Sequence, residues 1–194
     1  MIIGITGSFG TGKTFVASIL ASLGAKVVDA DIIAHRVMRK GSPAHKRIEA
    51  LFGVSALSKS GEIDRRKLGT IVFKDGKCLE RLNRIMHPEV IREIKREINR
   101  ASGHDIIVVD APLLVEAGLI DLIDKLIVVK CSRQRQIARC VKKFRIKKED
   151  VLKRIKRQIP LKKKLKMADF VIDNQGLKSK TRRQVLEIWR MLWR

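Results

Sequence analysis

The sequence predicts a three-layer α/β fold in which helices cover both faces of a five-stranded parallel sheet. Short β-branched runs alternate with longer segments of helical periodicity, which is the pattern of parallel strands joined by crossover helices. Most of these runs are continuously apolar, as expected of strands that are covered on both faces. The predicted strands are Ile2–Thr6, Lys26–Asp29, Asp105–Asp110, Lys125–Lys130 and Asp169–Ile172.

The amino-acid composition is that of a folded, strongly basic protein. With 194 residues, 45% of them hydrophobic, the chain can bury a core and is not a disordered protein. Its 43 Lys and Arg outnumber 20 Asp and Glu, which predicts anionic partners without specifying them. Three widely spaced cysteines predict reduced thiols and a cytoplasmic location, and we see no targeting segment at the start. Charged residues interrupt the most apolar region, Ile106–Val129, so we expect no membrane-spanning helix.

A phosphate-binding loop follows the first strand. Residues 7–14 read Gly-Ser-Phe-Gly-Thr-Gly-Lys-Thr and match the G-x-x-x-x-G-K-[ST] pattern between a strand and a helix. The glycines let backbone N–H groups curl around phosphate oxygens, and the helix N-terminus adds positive potential. We expect Lys13 to reach the β- and γ-phosphates of ATP, and the Thr14 hydroxyl to ligate Mg²⁺. The predicted nucleotide contacts are Gly10, Thr11, Gly12, Lys13, Thr14 and Phe15.

Two aspartates, Asp29 and Asp31, follow the second strand. The carboxyl ends of the strands form the edge of an open parallel sheet where ligands bind. Asp31 has two possible roles in this position. It could cap the helix that begins here by accepting backbone N–H bonds. Alternatively, it could act as the general base on an attacking hydroxyl, as an aspartate does in kinases.

Residues 35–103 contain no convincing strand, and their helical periodicity is interrupted by turn signals. We therefore expect a helical insertion between the second and third strands, with a helical break where His87 precedes Pro88.

The third strand then ends in Asp110, which is the Walker B arrangement that supports Mg²⁺. Thr14 and Asp110 are the predicted metal ligands.

A strongly basic segment spans residues 133–166, with sixteen Lys and Arg against only Glu149 and Asp150. Its apolar spacing predicts two amphipathic helices whose exposed faces are basic. Near the C-terminus, apolar residues at helical spacing predict a closing helix that packs on the sheet. These residues are Val185, Ile188, Trp189 and Leu192.

Together, these motifs resemble the dephospho-coenzyme A (CoA) kinase family. The most specific string is Asp110-Ala111-Pro112-Leu113-Leu114-Val115-Glu116. Other matching segments lie in family order along essentially the whole chain, at residues 7–14, 29–34, 51–53, 61–65, 82–83, 86–88 and 168–174. The resemblance implies a P-loop fold similar to that of nucleotide monophosphate kinases. It also implies transfer of the γ-phosphoryl group of ATP to the ribose 3′-hydroxyl of dephospho-CoA, the final step of CoA synthesis.

The resemblance further implies three functional regions. A nucleotide-binding core comprises residues 1–34, 104–132 and 167–194. Residues 35–103 form a helical domain for the acceptor, dephospho-CoA, and residues 133–166 form a lid. We expect the lid to keep water from the phosphoryl group during transfer.

The family pattern also implies roles for individual residues. Asp31 is the expected base, with Lys13 and the lid residue Arg139 as catalytic cations. Gln158 matches another lid position. Lys143 stands where the family commonly has a second lid arginine, and a lysine keeps the charge but loses the bidentate fork. The implied acceptor contacts are Asp31, Asp64, Arg65, His87, Pro112 and Leu113.

Simpler roles remain open for some of these residues, since Asp64 and Arg65 could merely start a helix and His87 could be structural. Two other functions also remain open. A nucleoside or nucleotide kinase with another acceptor is disfavoured by the 110–116 string and by the length of the insertion. A nucleic-acid-associated P-loop NTPase would suit the charge of +23, but aromatics are only 4% and Tyr is absent, which argues against a stacking groove. We therefore expect no obligate nucleic acid partner, while the oligomeric state is left open.

Overall fold

The computed structural model describes residues 1–101, 103 and 106–192, and it confirms the five predicted strands. They are β1 (Ile2–Gly7), β2 (Lys26–Asp29), β3 (Ile107–Asp110), β4 (Lys125–Lys130) and β5 (Phe170–Asp173). Their order across the sheet is β2-β3-β1-β4-β5. β1 pairs in parallel with both β3 and β4, and β4 pairs in parallel with β5. Asp105, the predicted start of the third strand, lies outside the described residues.

Nine helices connect or follow the strands in the described part of the chain. They are α1 (Lys13–Ser22), α2 (Ala30–Val37), α3 (Pro43–Phe52), α4 (Arg65–Lys74), α5 (Gly76–Arg100), α6 (Arg133–Phe144), α7 (Lys148–Lys156), α8 (Leu161–Lys166) and α9 (Lys178–Leu192). Short 3₁₀ turns occupy Gly53–Ala56 and Ile120–Leu122. None of the helices described here is long and apolar enough to cross a bilayer.

The first compact unit comprises Met1–Val28 and Ala101–Arg194. On one face of its sheet, β1 residues Ile3 and Ile5 pack with α1 and with the predicted closing helix α9, whose Val185 is fully buried. The opposite face is also tightly packed. A Cβ atom added to Gly4 would lie 2.7 Å from side-chain atoms of both Ile123 and Leu114. Helices and loops therefore cover both faces of the central strand, which explains why β1 is continuously apolar.

The second compact unit, Asp29–Arg100, is helical. Its described residues form no strand, only an isolated antiparallel bridge between Leu57 and Ile63. The apolar faces of its helices meet in a separate core that includes Ala44, Ile48, Leu68, Val72 and Met86. Within this unit, α2 packs on α5.

Two helical predictions were wrong. α5 continues without a break through Pro88, although proline lacks a backbone N–H and usually kinks a helix interior. The basic segment contains three helices rather than two, because the six-residue α8 follows Pro160. The three cysteines are free thiols, as expected.

The half-buried His87 of α5 yields a prediction for stability. Burial lowers the pKa of His87, so the folded state favours the neutral imidazole. Stability from this residue is present above the unfolded-state pKa of about 6.5 and falls as the pH decreases below it. The His87→Gln variant should therefore lose less stability than the wild type between pH 7.5 and pH 5.5. Urea unfolding at both pH values checks this, and equal losses in the two proteins would contradict it.

Candidate active site

The phosphate loop joins β1 to α1 and needs glycine at two positions. Gly10 and Gly12 have φ angles of 82° and 95°, in the left-handed region that favours glycine. Space is also limiting, because a Cβ atom on Gly10 would lie 2.5 Å from Cys140 Sγ and 2.9 Å from Gln136 O. A Cβ atom on Gly12 would overlap Nδ2 of Asn174. The loop is thus held between the start of α1 and residues of α6 and the β5–α9 connection.

Lys13 opens α1 and is only 8% exposed. Its Nζ donates to the carbonyl oxygens of Gly7 and Ser8, at 3.3 and 3.2 Å. Its ammonium group is therefore curled against the phosphate loop. Thr14, in the first turn of α1, is exposed, whereas the Thr11 hydroxyl is buried and donates to Ser8 O within the loop. A helix N-terminus with an adjacent ammonium group provides a site for phosphate.

Arg139 and Asn174 hold the phosphate loop through one shared carbonyl. Arg139 donates from one nitrogen to Thr11 O at 3.2 Å, and from another to Asn174 O at 3.0 Å. The buried Asn174 side chain donates to the same Thr11 O at 2.8 Å and accepts from the Thr181 hydroxyl. Asn174 matched the family pattern by sequence, but only the structure brings it to the loop. The two terminal nitrogens of Arg139 thus donate to the protein backbone.

Gln158, just beyond α7, contacts the opening of the phosphate loop. Its Oε1 accepts from the backbone N–H of Phe9 at 2.7 Å and from the Ser8 hydroxyl at 3.3 Å. The Phe9 ring stacks on Phe144 at the end of α6, with centroids 5.4 Å apart and planes 19° from parallel. The basic segment is therefore joined to the loop by hydrogen bonds and by an aromatic contact.

A buried ion pair lies beneath this region and was not predicted. Lys164 of α8 is 0% exposed, and its Nζ lies 2.8 and 3.0 Å from the two carboxylate oxygens of Glu116. The same Nζ donates to Pro112 O and to the Thr6 hydroxyl, at 3.0 and 3.4 Å. The sequence suggested that Lys164 belonged to an exposed basic face. Its burial instead ties α8 to the end of β1 and to the loop after β3.

Lys164→Met should destabilise the protein strongly, because it leaves the carboxylate of Glu116 without its cation. Breaking a buried pair in this way costs about 3–5 kcal/mol. For a chain of this size, this corresponds to a fall in melting temperature of roughly 6–20 °C. Lys163→Met removes an exposed lysine from the same helix and is the matched control. Equal melting temperatures for the two variants would show that the pair contributes nothing.

The two predicted metal ligands lie at the two ends of the phosphate loop, one of them through strand pairing. Asp110 pairs in register with Ile5, two residues before the loop begins, and it is 6% exposed. Thr14 is the last residue of the loop motif. Within the described residues, no group of three or more His, Cys, Asp and Glu could hold a metal. Mg²⁺ prefers oxygen ligands and often takes only one or two from the protein, with phosphates supplying others. The donor set suits that chemistry.

The start of α2 shows whether Asp31 caps this helix. Asp29 is the N-cap of α2, because its carboxylate accepts from the backbone N–H groups of Asp31 and Ile32 at 2.8 and 3.0 Å. Asp31 lies one turn before His35, whose Nδ1 is 3.2 Å from Arg65 NH1. Partial desolvation and Arg65 lower the pKa of His35, while Asp31 and Asp29 raise it. The capping role considered for Asp31 is therefore wrong, and Asp31, His35 and Arg65 form one polar cluster.

Four other residues were predicted to contact the acceptor, and their local contacts differ. Asp64 caps α4, and the backbone N–H of Lys67 that binds its carboxylate lowers the pKa of Asp64. The helix-start role is thus real for Asp64, whereas Arg65 points to His35. In the other unit, the Pro112 carbonyl accepts from Thr6 and Lys164, and the neighbouring Leu113 is 44% exposed.

Comparisons with known proteins agree over nearly the full chain. The family model described as dephospho-CoA kinase (CoaE) matches residues 1–179. The dephospho-CoA kinase of Carboxydothermus hydrogenoformans is 43% identical over 189 residues, covering 96% of this chain and 92% of that relative. Among solved structures, TT1252 from Thermus thermophilus has a TM-score of 0.86 at 30% identity, covering 98% and 96% of the two chains. Dephospho-CoA kinase from Campylobacter jejuni has a TM-score of 0.72 at 27% identity with the same coverage.

Proposed function

Since the chain belongs to the dephospho-CoA kinase family, we propose that it transfers the γ-phosphoryl group of ATP to the ribose 3′-hydroxyl of dephospho-CoA. The products are CoA and ADP, and the reaction is the final step of CoA synthesis. The single observation that carries the proposal is the family match over residues 1–179, which includes both the phosphate loop and the predicted acceptor motifs. We place the reaction in the cytoplasm, in keeping with the free thiols.

The phosphate loop binds ATP. Phosphoryl transfer needs in-line placement of the reactants and neutralisation of the charge on the transferring oxygens. The N-terminal end of α1 and the Lys13 ammonium supply this charge at the β- and γ-phosphates. The hydroxyl of Thr14 and the carboxylate of Asp110 would hold Mg²⁺. When bound there, the ion would supply further positive charge to the phosphates.

Asp31 is the general base. The capping carboxylate of α2 is that of Asp29, and Asp31 is an acidic residue of the first turn. Its carboxylate orients the 3′-hydroxyl and accepts its proton as the new bond to phosphorus forms. Placement just after β2 supports this role, because ligands of open parallel sheets bind beyond the carboxyl ends of the strands.

Arg139 acts on the reaction by holding the phosphate loop. Two of its nitrogens donate to the carbonyl oxygens of Thr11 and Asn174, so its planar fork fixes the distance between the loop and the β5–α9 connection. The segment 133–166 excludes water from the phosphoryl group as a lid. Through Gln158 and Phe144, this segment contacts the phosphate loop directly.

The family pattern supports a set of acceptor contacts. We assign the acceptor contacts to Asp31, Asp64, Arg65, His87, Pro112 and Leu113. The basic surface attracts the polyanionic substrates, and no nucleic acid is required.

An acceptor panel tests the proposed function. Purified protein is incubated with ATP, Mg²⁺ and single candidate acceptors, namely dephospho-CoA, nucleosides, nucleoside monophosphates and shikimate, and the products are analysed by mass spectrometry. We expect dephospho-CoA to gain the mass of one phosphate at the highest rate. Faster phosphorylation of a nucleoside or nucleotide would refute the assignment. ATP hydrolysis that responds only to added nucleic acid would favour the NTPase alternative.

A further inference from the structure

The cation that contacts the transferring phosphoryl group is not evident from the family pattern. The first lid arginine, Arg139, donates to Thr11 O and Asn174 O. The second position holds Lys143, whose Nζ lies 5.3 Å from the centroid of the Phe144 ring. Lys13 and the N-terminal end of α1 supply positive charge at the loop. A further cation beside the loop would add to the neutralisation of the phosphoryl oxygens during transfer.

One face of α7 lies against the phosphate loop. Arg154 lies in the last turn of α7, and Gln158 lies just beyond the C-cap of that helix. Gln158 accepts from the Phe9 N–H and the Ser8 hydroxyl, as described above. The guanidinium carbon of Arg154 lies 5.3 Å from the centroid of the Phe9 ring. Gln158 thus contacts the second and third positions of the phosphate loop, and Arg154 lies over the side chain of the third.

The manner in which Arg154 is held leaves its hydrogen-bond donors available. A cation over an aromatic ring is attracted by the ring face, and this contact uses none of the five N–H donors of a guanidinium. In the described part of the chain, Arg154 forms no ion pair and donates no hydrogen bond to another residue, and its side chain is exposed. The stack on Phe144 in turn fixes the Phe9 ring. This arrangement orients a planar bidentate cation beside a phosphate-binding loop.

We propose that Arg154, whose guanidinium lies over the Phe9 ring, is the catalytic arginine that contacts the γ-phosphate of ATP during transfer. This inference rests on the proposed function, because it concerns the phosphates bound at the same loop. Arg139 is then a positioning residue, and Lys143 does not substitute for the missing second arginine. The planar fork of Arg154 binds two phosphate oxygens at once, which a lysine cannot do.

Four proteins test the proposal: the wild type, Arg154→Ala, Arg154→Lys and the control Lys156→Ala, which removes an exposed cation two residues along the same helix. We expect Arg154→Ala to lower kcat about 10²- to 10³-fold, the range for losing one charge-stabilising donor at a transition state. Arg154→Lys should recover only part of this loss, and Lys156→Ala should match the wild type. Melting temperatures identify any variant that fails to fold. If Arg154→Ala fails to fold, the kcat and nucleotide affinities of Arg154→Lys decide instead.

Nucleotide affinity separates a contact with the γ-phosphate from a general effect on the lid. By calorimetry, Arg154→Ala should bind a non-hydrolysable ATP analogue more weakly than the wild type, while its affinity for ADP stays unchanged. A kcat within about threefold of the wild type would overturn the proposal. Equal losses of affinity for the ATP analogue and for ADP would overturn it as well. If the wild type itself does not phosphorylate dephospho-CoA, the proposed function fails instead, and the ATP and ADP affinities still decide the role of Arg154.

Discussion

Replacing Lys13 with methionine is expected to abolish nearly all phosphoryl transfer to dephospho-CoA. Methionine keeps the apolar stem that fills the 8% exposed site but removes the ammonium group beside the phosphate loop. Charge at the β- and γ-phosphates is then no longer neutralised as the transition state forms. We expect kcat to fall on the order of 10³-fold or more, which corresponds to several kcal/mol of transition-state stabilisation.

The control for Lys13→Met is Lys162→Met, which removes an exposed lysine from α8 and should leave kcat close to the wild-type value. Because Lys13 is buried, the melting temperature of its variant must be measured alongside the rate. A folded Lys13→Met protein with near-normal turnover would refute the assignment of residues 7–14 as the ATP site.

The second large effect is expected from Asp31→Asn. The amide can still hydrogen-bond to the acceptor hydroxyl but cannot take its proton. Contributions from a general base typically amount to about 10²–10⁴-fold in rate. We therefore expect kcat to fall within that range while the affinity for ATP, measured by calorimetry, changes little.

Asp29→Asn is the matched control for Asp31→Asn, because Asp29 lies two residues earlier and its carboxylate caps α2. Asparagine caps a helix about as well as aspartate, so this variant should keep both its stability and its turnover. If Asp29→Asn lost more activity than Asp31→Asn, the base would have to be sought at residue 29. If neither variant lost activity, the second strand would not supply the base at all.

Local patterns made most of the fold predictable. Each strand is a short apolar run between turn signals, so its position is visible in the local sequence. The phosphate loop was also predictable, because its glycines satisfy a local backbone requirement that is visible as Gly10 and Gly12. The same reasoning located the closing helix α9 from the apolar stripe that includes Val185 and Ile188.

Features that depend on tertiary packing were not predictable. Lys164 resembles its neighbours Lys162 and Lys163 in sequence, and only the position of Glu116 makes it a buried ion-pair partner. Pro88 suggested a break, yet α5 continues because its apolar residues pack in the core of the helical unit. Asp29 rather than Asp31 caps α2, a difference of two residues that helical periodicity does not resolve.

The candidate site was predictable in its residue types but not in its contacts. Arg139 was expected to face phosphate, and its bonds to Thr11 O and Asn174 O became visible only once α6 and the β5–α9 connection were placed. Arg154 carried no signal of its own, since it is one of sixteen basic residues in the segment. Its position over the Phe9 ring singles it out.

The position of the new phosphate tests directly whether the protein phosphorylates the ribose 3′-hydroxyl of dephospho-CoA. The wild-type protein is incubated with ATP, Mg²⁺ and either dephospho-CoA or its analogue that lacks the ribose 3′-hydroxyl, and the products are examined by ³¹P NMR. We expect one new phosphomonoester on the 3′-oxygen of dephospho-CoA, and no phosphorylated product from the analogue. A phosphate on any other oxygen, or equal phosphorylation of the analogue, would contradict the proposed transfer to the 3′-hydroxyl.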